Sequence, residues 1–426
     1  MKFYIYTLGC KVNSYESNIM RDNLLNNGYI EGDKDNSDIY IINTCTVTNT
    51  SDNKSLKVIR RVLREHPNCI SIAVGCMTQV NSEFLENLGV SIVLGNKDKS
   101  KLVEYIEKYK ENNQTITNVE DIMKAPFEDM CLNNFNKARA FVKIEDGCEN
   151  YCSYCIIPYA RGKVRSKNPE LVINEINELI NQGHKEFVLT GIHTGHYNYK
   201  DCTFAQLLNK LVKIDGIERL RISSIEITEI TDEVLEIIKN NDVLVDHMHI
   251  PLQSGSNAIL KLMNRKYDKD YFMNKVNKIR KIRPNISITT DIIVGFPGET
   301  DELFEETMET VRKIKFSKIH VFPFSLRKGT KAEALPNHLN GEVKRKRVKE
   351  LLNLSKQLEL EYMNKFILKE MSFLPEIYKD GYLIGHTGNY LQIKAKGDIN
   401  LLNFLVKVKT IKVENNVILA DIIEKV

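Results

Sequence analysis

The stretch Gly147-Cys148-Glu149-Asn150-Tyr151-Cys152-Ser153-Tyr154-Cys155 carries three cysteines close together, directly after a predicted strand. Thiolates are soft ligands that select iron-sulfur clusters, zinc or copper(I). A structural zinc ion takes four protein ligands, and no fourth Cys or His follows this stretch closely. Three thiolates can hold a 4Fe-4S cube by three of its irons and leave the last iron open. The sequence therefore predicts such a cluster here.

The same spacing allows a second interpretation. The three cysteines stand at i, i+4 and i+7, which would place them on one face of a buried helix. Gly147, Asn150 and Pro158 instead favour a loop, because these residue types break helices and populate turns. We therefore expect a cluster-binding loop at this position.

Length and composition indicate a globular protein of about three domains. The chain has 426 residues, of which 27% are charged and 42% hydrophobic. Its opening apolar run is too short for a signal peptide or a membrane span, and nine cysteines without a secretion signal indicate reduced thiols or metal ligands. We therefore expect a cytoplasmic protein with no membrane partner. The net charge of +4 neither identifies nor excludes a nucleic-acid partner.

The first segment, residues 1–130, alternates short apolar runs with amphipathic helical patterns, which predicts a parallel α/β domain. Cys10, Cys45 and Cys76 each follow a predicted strand. A single buried cysteine is usually a small core residue, but the carboxyl ends of parallel strands share one edge, where ligands bind. The sequence thus predicts a second three-thiolate site. The remaining cysteines share no such pattern and are expected to be structural: Cys69, Cys131 and Cys202.

The second segment, residues 137–360, repeats strand then helix six times and predicts a (β/α)6 partial barrel. The predicted strands are 140–144, 186–190, 219–223, 247–251, 287–294 and 318–323. Active sites of α/β barrels lie at the C-terminal ends of the strands, and the Cys148 loop follows the first strand directly. We therefore expect the cluster at the mouth of the barrel, beside polar strand ends such as Thr190-Gly191-Ile192-His193.

The third segment, residues 364–426, follows a long basic helical pattern and alternates like a small antiparallel β-barrel, with strands at 390–396, 404–413 and 417–423. Such barrels bind oligonucleotides through a basic, aromatic face. Candidate residues for that face are Tyr382, Tyr390, Lys394, Lys396, Lys407 and Lys409. The alternative is a solvated strand face whose lysines prevent edge-to-edge aggregation, and charge alone does not choose between the two.

Several motifs, in order along the chain, closely resemble those of the radical S-adenosylmethionine (SAM) methylthiotransferases. They are Leu8-Gly9-Cys10-Lys11-Val12-Asn13, the Cys148 to Cys155 stretch, His249 to Ser256, Asp291 to Thr300, His320 to Ser325, and a terminal segment around Gly385 to Tyr390 that is similar to the RNA-binding TRAM domain. The resemblance covers essentially the whole chain. The first motif and Thr190 to Gly195 look most like the branch acting on N6-threonylcarbamoyladenosine beside the anticodon of tRNA, at position 37.

The resemblance implies two 4Fe-4S clusters. One, on Cys148, Cys152 and Cys155, would bind SAM and cleave it to a 5'-deoxyadenosyl radical that takes a hydrogen from C2 of the adenine. The other, an auxiliary cluster, would be held by Cys10, Cys45 and Cys76. A methylated sulfur on this cluster would bond to the same carbon, and a second SAM would supply its methyl group. No catalytic residue beyond the cluster ligands is expected.

The SAM contacts depart from the common pattern. Many radical SAM enzymes carry Gly-Gly-Glu at the end of the second strand to hold the methionine amine, whereas this chain has Thr190-Gly191-Ile192. We expect Gly191 to allow close backbone approach, Tyr154 to place its backbone near the adenine, and Glu226 or Gln253 to supply polar contacts. For Arg161 and Arg165, contact with substrate or SAM and a surface salt bridge are both open.

The implied partners are tRNA, an electron donor such as flavodoxin or ferredoxin, and a separate sulfur donor unless the sulfur is supplied internally. The nearest alternative is the same chemistry on isopentenyladenosine in tRNA or on a ribosomal protein. Two other classes are a non-enzymatic RNA-binding protein with structural zinc and an electron-transfer protein with two clusters. Missing fourth ligands oppose the first of these, and a wide barrel mouth would be needless in the second.

Overall fold

The computed structural model describes residues 1–132, 135 and 138–425. In sequence order it contains a parallel α/β sheet, an incomplete α/β barrel and a small closed β-barrel. The boundary expected at residue 137 and the final residue, 426, lie outside the described residues. Within the described ranges, no helix is both long enough and apolar enough to cross a lipid bilayer.

The first segment forms a six-stranded sheet in which every neighbouring pair is parallel. Its strands, in the spatial order β2-β1-β3-β4-β5-β6, are β1 Lys2–Thr7, β2 Ile30–Glu31, β3 Ile39–Thr44, β4 Ile70–Gly75, β5 Ile92–Leu94 and β6 Ile116–Asn118. The helices are α1 Lys11–Asn26, α2 Asn49–Glu65, α3 Cys76–Val80, α4 Ser82–Glu86 and α5 Leu102–Asn112. Strands β3 and β4 are buried along their whole length, which explains their nearly continuous apolar sequences.

Side-chain alternation along these strands builds two cores, one on each face of the sheet. Ile39 and Ile41 pack with residues of α1 and α5, whereas Tyr40 and Ile42 pack with residues of α2. Since helices cover both faces, a ligand meets this sheet at the carboxyl ends of its strands.

The second segment contains the six predicted barrel strands and four short additional ones. The strands are β7 Arg139–Lys143, β8 Glu145–Asp146, β9 Arg165–Ser166, β10 Glu186–Thr190, β11 Asn198–Tyr199, β12 Cys202–Thr203, β13 Arg219–Ile222, β14 His247–His249, β15 Ser287–Val294 and β16 Lys318–Pro323. The helices are α6 Ile157–Arg161, α7 Pro169–Asn181, α8 Phe204–Leu211, α9 Asp232–Asn240, α10 Asn257–Leu262, α11 Lys269–Ile282, α12 Asp301–Ile314 and α13 Gly341–Asn364.

The six barrel strands form two parallel three-stranded sheets, β13-β10-β7 and β14-β15-β16. A single parallel bridge between Leu220 and Leu244 connects β13 to the residues just before β14. The partial barrel predicted from the sequence is therefore confirmed, with a weak join in its middle. The fourth strand ends at His249, two residues earlier than predicted.

The C-terminal barrel is closed in the order β17-β18-β19-β21-β20. Its strands are β17 Glu370–Lys379, β18 Tyr382–Thr387, β19 Gln392–Lys396, β20 Val406–Glu414 and β21 Val417–Lys425. Four neighbouring pairs are antiparallel as expected, and β19 and β21 are parallel. The sequence did not indicate β17 and β18, because Pro375 lies beside a register shift and Gly385 interrupts the alternation. A Cβ on Gly385 would lie 1.8 Å from the carbonyl oxygen of Leu374.

Candidate active site

Cys10, Cys45 and Cys76 lie at the carboxyl ends of β1, β3 and β4, which are adjacent in the sheet. A Cβ built on Gly9 would lie 3.0 Å from Cys45 Sγ, so glycine is required where the chain passes this thiol. Burial raises the pKa of Cys45, and the neighbouring Cys76 and Cys10 raise it further. These thiols therefore lie close enough to act on one another electrostatically.

Cys148, Cys152 and Cys155 lie in the loop between β8 and α6, so the interpretation as one helix face is wrong. Gly147 has φ +89°, and a Cβ on it would lie 1.9 Å from the carbonyl oxygen of Lys163. Burial, and then the neighbouring Cys152, raise the pKa of Cys155 to about 12. This loop thus holds three thiols at the mouth of the barrel.

The spacing within the triads bears on whether a single metal ion or a cluster would bind. A tetrahedral zinc ion holds thiolate sulfurs about 4 Å apart, since each Zn–S bond is about 2.3 Å. In the described part of the chain, three potential ligand atoms lie within 4.8 Å of one another in the groups His193-His196-Glu229 and His249-Asp291-His320, and neither cysteine triad has this arrangement. The wider spacing fits ligands that bind separate irons of a cube.

A cavity of about 700 Å³ lies where the three segments meet. Its lining includes Cys10 and Lys11 from the first segment, Thr190, Gly191, His247, His249, Asp291 and His320 from the barrel strands, and His386, Tyr390 and Gln392 from the last segment. The site with Cys10 therefore opens directly into the barrel chamber. A volume of this size accommodates a nucleoside-sized ligand.

Lys11 is the first residue of α1 and is half-buried at the wall of this cavity. Partial removal from water, together with the charges of Arg139 and Arg221, lowers the pKa of Lys11 to about 8. At pH 7 the side chain is therefore mainly protonated, and the cavity contains a positive charge next to Cys10.

Tyr390 reaches into the cavity from the C-terminal barrel. Its ring stacks on the rings of His247 and His386, at 4.7 Å between centroids in each case. The guanidinium carbons of Arg221 and Arg139 lie 4.9 Å and 5.2 Å from its centroid. Tyr390 thus belongs to the cavity wall and not to an outer face shared with Tyr382.

Gly191 lies where the sequence predicts a close approach of the backbone. A Cβ at this position would lie 2.6 Å from Glu145 Oε2, so no larger residue fits without a shift. Tyr154 is half-buried in the cluster loop, with its ring edge-on to Phe296 at 6.4 Å between centroids. Gln253 has φ +67°, donates its backbone N–H to the carbonyl of Asp291 and accepts from the N–H of Ile293, both at 2.9 Å.

Glu226 binds a side chain that contacts the cluster loop. It forms an ion pair with Arg265, and Arg265 Nη1 lies 3.3 Å from Cys152 Sγ. In the described structure Glu226 therefore acts on this loop through Arg265. The two residues are 39 apart in sequence, so their contact was not predictable from spacing.

Glu145 is a candidate site residue that the sequence reasoning missed. It is buried in β8, just after the first barrel strand, where Oε2 accepts the backbone N–H of His193 at 2.6 Å. Burial, opposed by that hydrogen bond, raises the pKa of Glu145 well above its usual range. Among the described residues Oε1 has no hydrogen-bond partner, so a buried polar atom remains beside Gly191 for a ligand. The available signal was a carboxylate directly after an apolar strand.

Arg161 joins Cys76 to the residues that lead into the Cys148 loop. It is fully buried, so the surface alternative is wrong for this residue. Its Nε donates to Cys76 Sγ at 3.2 Å, and Nη1 lies 2.6 Å from Glu16 Oε1 and 3.2 Å from Asp146 Oδ2, two residues before Cys148. Burial alone would raise the pKa of Glu16, yet the surrounding cations, Arg161 first among them, hold it well below its usual range.

Known protein families match the sequence and the fold of most of the chain. The profile of the Radical SAM superfamily matches residues 142–311, and that of an uncharacterised protein family, UPF0004, matches residues 2–95. The radical S-adenosylmethionine methyltransferase TsrM from Kitasatospora setae superposes with a TM-score of 0.58 at 12% identity, covering 75% of this chain and 72% of that chain. This likeness shows a shared fold.

Sequence relatives are more specific. The chain is 44% identical to the threonylcarbamoyladenosine tRNA methylthiotransferase MtaB of Bacillus subtilis (strain 168), over 96% of this chain and 93% of that protein. It is 34% identical to the tRNA-2-methylthio-N(6)-dimethylallyladenosine synthase of Clostridium botulinum (strain Okra / Type B1), over 96% of this chain and 94% of that protein. With identity at this level over nearly the whole length, the chain belongs to the radical SAM methylthiotransferase family.

Proposed function

We propose that this enzyme converts N6-threonylcarbamoyladenosine at position 37 of tRNA into its 2-methylthio derivative by radical SAM chemistry. The observation that carries this assignment is the 44% identity, over 96% of the chain, to an enzyme named for that substrate. A chamber with polar and cationic lining supports a polar base substituent. The isopentenyl branch is the second candidate, because a relative of that kind is 34% identical over the same share of the chain.

Each triad holds its own 4Fe-4S cluster in this proposal. Cys148, Cys152 and Cys155 bind the cluster that takes SAM, and Cys10, Cys45 and Cys76 bind the auxiliary cluster. Bound SAM supplies the oxidising radical and the methyl group. The protein orients the two sites toward one chamber, since Cys10 and the second strand end at Gly191 both line it.

The chain's own polar atoms complete the SAM site. Gly191 leaves room for backbone approach, and the unpaired Oε1 of the buried Glu145 accepts a hydrogen bond from the methionine amine in place of the missing Gly-Gly-Glu carboxylate. Tyr154 and Gln253 contact SAM from the loops that carry them. Glu226 contributes by orienting Arg265 against Cys152.

An electron donor such as flavodoxin or ferredoxin supplies the reducing electrons, and a separate sulfur donor or the enzyme itself supplies the sulfur. The substrate, tRNA, supports a cytoplasmic location.

The segments act as an N-terminal domain of residues 1–130, a radical SAM core of 137–360 and an RNA-binding domain of 364–426.

We expect the reaction order to be strict. A site that hydrogen-bonds a polar substituent rejects a substrate lacking it by about 10⁴-fold, because its buried partners would be left unpaired. Reconstituted enzyme would receive three forms of one tRNA with plain, isopentenylated or threonylcarbamoylated adenosine at position 37, and product nucleosides would be weighed by mass spectrometry. Only the third should be methylthiolated at an appreciable rate. Comparable turnover of the isopentenylated form would assign the enzyme to the other branch.

The C-terminal barrel binds the RNA backbone in this proposal. Lys394 Nζ lies 4.3 Å from the ring centroid of Tyr382 on paired strands, which gives a basic and aromatic patch. Lys407, by contrast, is paired with Glu370 and Glu424 at 3.3 Å each. Lys394 is therefore the better probe of tRNA contact.

Replacing Lys394 by Glu should weaken tRNA binding and reduce the slope of log K against log salt by roughly 0.9, the value for one phosphate contact on a duplex. Affinity would be measured at several salt concentrations. Lys108→Glu is the matched control, because it makes the same change in net charge. Lys108 also lies over a tyrosine, 5.6 Å from the ring centroid of Tyr105, but in the first segment. Equal slopes for the two variants would place the RNA contact elsewhere.

A further inference from the structure

Among the described residues that line the chamber, the charged side chains have partners, except for Lys11. Lys318 lies 3.0 Å from Glu359, and His249 Nε2 lies 3.3 Å from Asp291. For Lys11, which lines the same chamber, no ion pair or hydrogen bond of Nζ occurs with the described residues. Among the described residues of the lining, Lys11 is therefore the cation that has no carboxylate partner.

The arginines near Lys11 make this part of the chamber more favourable for an anion. Arg139 and Arg221 both lie over the ring of Tyr390, which lines the chamber together with Lys11. Arg139 lies 2.9 Å from Glu376, but Arg221 shares its carboxylate, Glu186, with Arg219, at 2.9 Å and 3.1 Å. These ion pairs are largely buried, so water screens the excess positive charge less than it would at the surface. A ligand that enters this part of the chamber with a negative charge would be stabilised.

Three anions could neutralise the charge of Lys11: a carboxylate on the base, an RNA phosphate, or the cluster held by the neighbouring Cys10. The threonylcarbamoyl group carries a carboxylate and a hydroxyl, whereas an isopentenyl group carries neither. The stacked rings of Tyr390, His247 and His386 line the same chamber and can pack against a flat base. A base seated there would hold its substituent inside the chamber, near Lys11, while its phosphates stay outside.

We propose that Lys11 determines substrate specificity by binding the carboxylate of the threonyl substituent on the target adenosine. This inference rests on the proposed function and adds the residue that reads the substituent. A charged hydrogen bond of this kind changes affinity by about 10-fold to 100-fold. The contact would select the threonylcarbamoyl base over both plain and isopentenylated adenosine.

The test compares the wild-type holoenzyme, Lys11→Met and Lys11→Arg. Met keeps an unbranched apolar chain and removes the charge, while Arg keeps the charge. Each protein would be titrated with anticodon stem-loops bearing plain or threonylcarbamoylated adenosine, and kcat and KM would be measured on the modified tRNA. Lys11→Met should bind the modified stem-loop about 10-fold to 100-fold more weakly, raise KM more than it lowers kcat, and bind the plain stem-loop unchanged. Lys11→Arg should restore most of the preference.

Three outcomes would overturn the assignment. Equal weakening of plain and modified stem-loops by Lys11→Met would make the anion an RNA phosphate. Loss of iron from Lys11→Met, with the preference for the modified stem-loop undiminished, would assign the charge to the cluster. An undiminished preference in Lys11→Met would place carboxylate recognition on another residue. The proposed function fails separately, if the wild-type enzyme does not methylthiolate the threonylcarbamoylated tRNA.

Discussion

Replacing Cys148, Cys152 and Cys155 together by Ala will leave about four of roughly eight irons per chain and abolish SAM cleavage. Replacing Cys10, Cys45 and Cys76 will also leave about four irons, but SAM cleavage will continue and methylthiolation will stop. The reason is that the two sets of thiols lie on different structural elements, one on a loop of the barrel and the other on three strand ends of the first sheet. Each site can therefore assemble without the other.

Iron content would be measured after anaerobic reconstitution, and cleavage by the release of 5'-deoxyadenosine. Cys202→Ala is the matched control, because Cys202 lies outside both triads at the edge of the barrel core and should lose no iron. Circular dichroism would establish that each variant is folded. Loss of cleavage in both triad variants, with folding intact, would refute the separation of roles.

The second large effect concerns two arginines that each donate to one triad. Arg161→Met should make the reduction potential of the auxiliary cluster more negative and leave that of the SAM cluster nearly unchanged. Removing a positive charge and an N–H donor from beside a thiolate sulfur destabilises the extra electron. Arg265→Met is the counterpart, because Arg265 Nη1 lies 3.3 Å from Cys152 Sγ, and it should shift the SAM cluster alone.

Potentials would be obtained by redox titration monitored by electron paramagnetic resonance. Identical shifts of both clusters in either variant would show that the arginines act on the whole fold and not on their own triads. Arg161→Met should also destabilise the cluster-free protein by about 3 kcal/mol, since it leaves Glu16 and Asp146 buried with fewer cations. Urea unfolding measures this loss, and adding Glu16→Gln to Arg161→Met should recover part of it.

The positions of the six cysteines were predictable because they follow from local pattern and one topological rule. Apolar runs mark β1, β3 and β4, and a parallel sheet brings the residues after them to one edge. The Cys148 loop, which follows the first barrel strand and the short β8, was predictable for the same reason. Strand limits were nearly correct wherever the run was long, as in Ser287–Val294.

The contacts that complete the site were not predictable, because they join residues far apart in the chain. Arg161 and Glu16 are 145 residues apart, and Arg221 reaches the carbonyl of Gly388 across 167 residues. Such pairs depend on how the segments dock, and no spacing or periodicity encodes that docking. Tyr390 illustrates the same limit: its sequence context suggested an outer RNA-binding face, and the docking of the barrel turned it into the chamber.

The position of Tyr390 has a consequence for biosynthesis. A ribosome makes the chain from its N-terminus, so all six cysteines of the triads emerge before residue 156, and the wall containing His386 and Tyr390 emerges more than 200 residues later. A nascent chain that has folded its first two segments therefore presents Cys10 without that wall. An iron-sulfur cluster delivered during synthesis would therefore reach Cys10 through a chamber that is still open on this side. Docking of the last segment then closes the chamber.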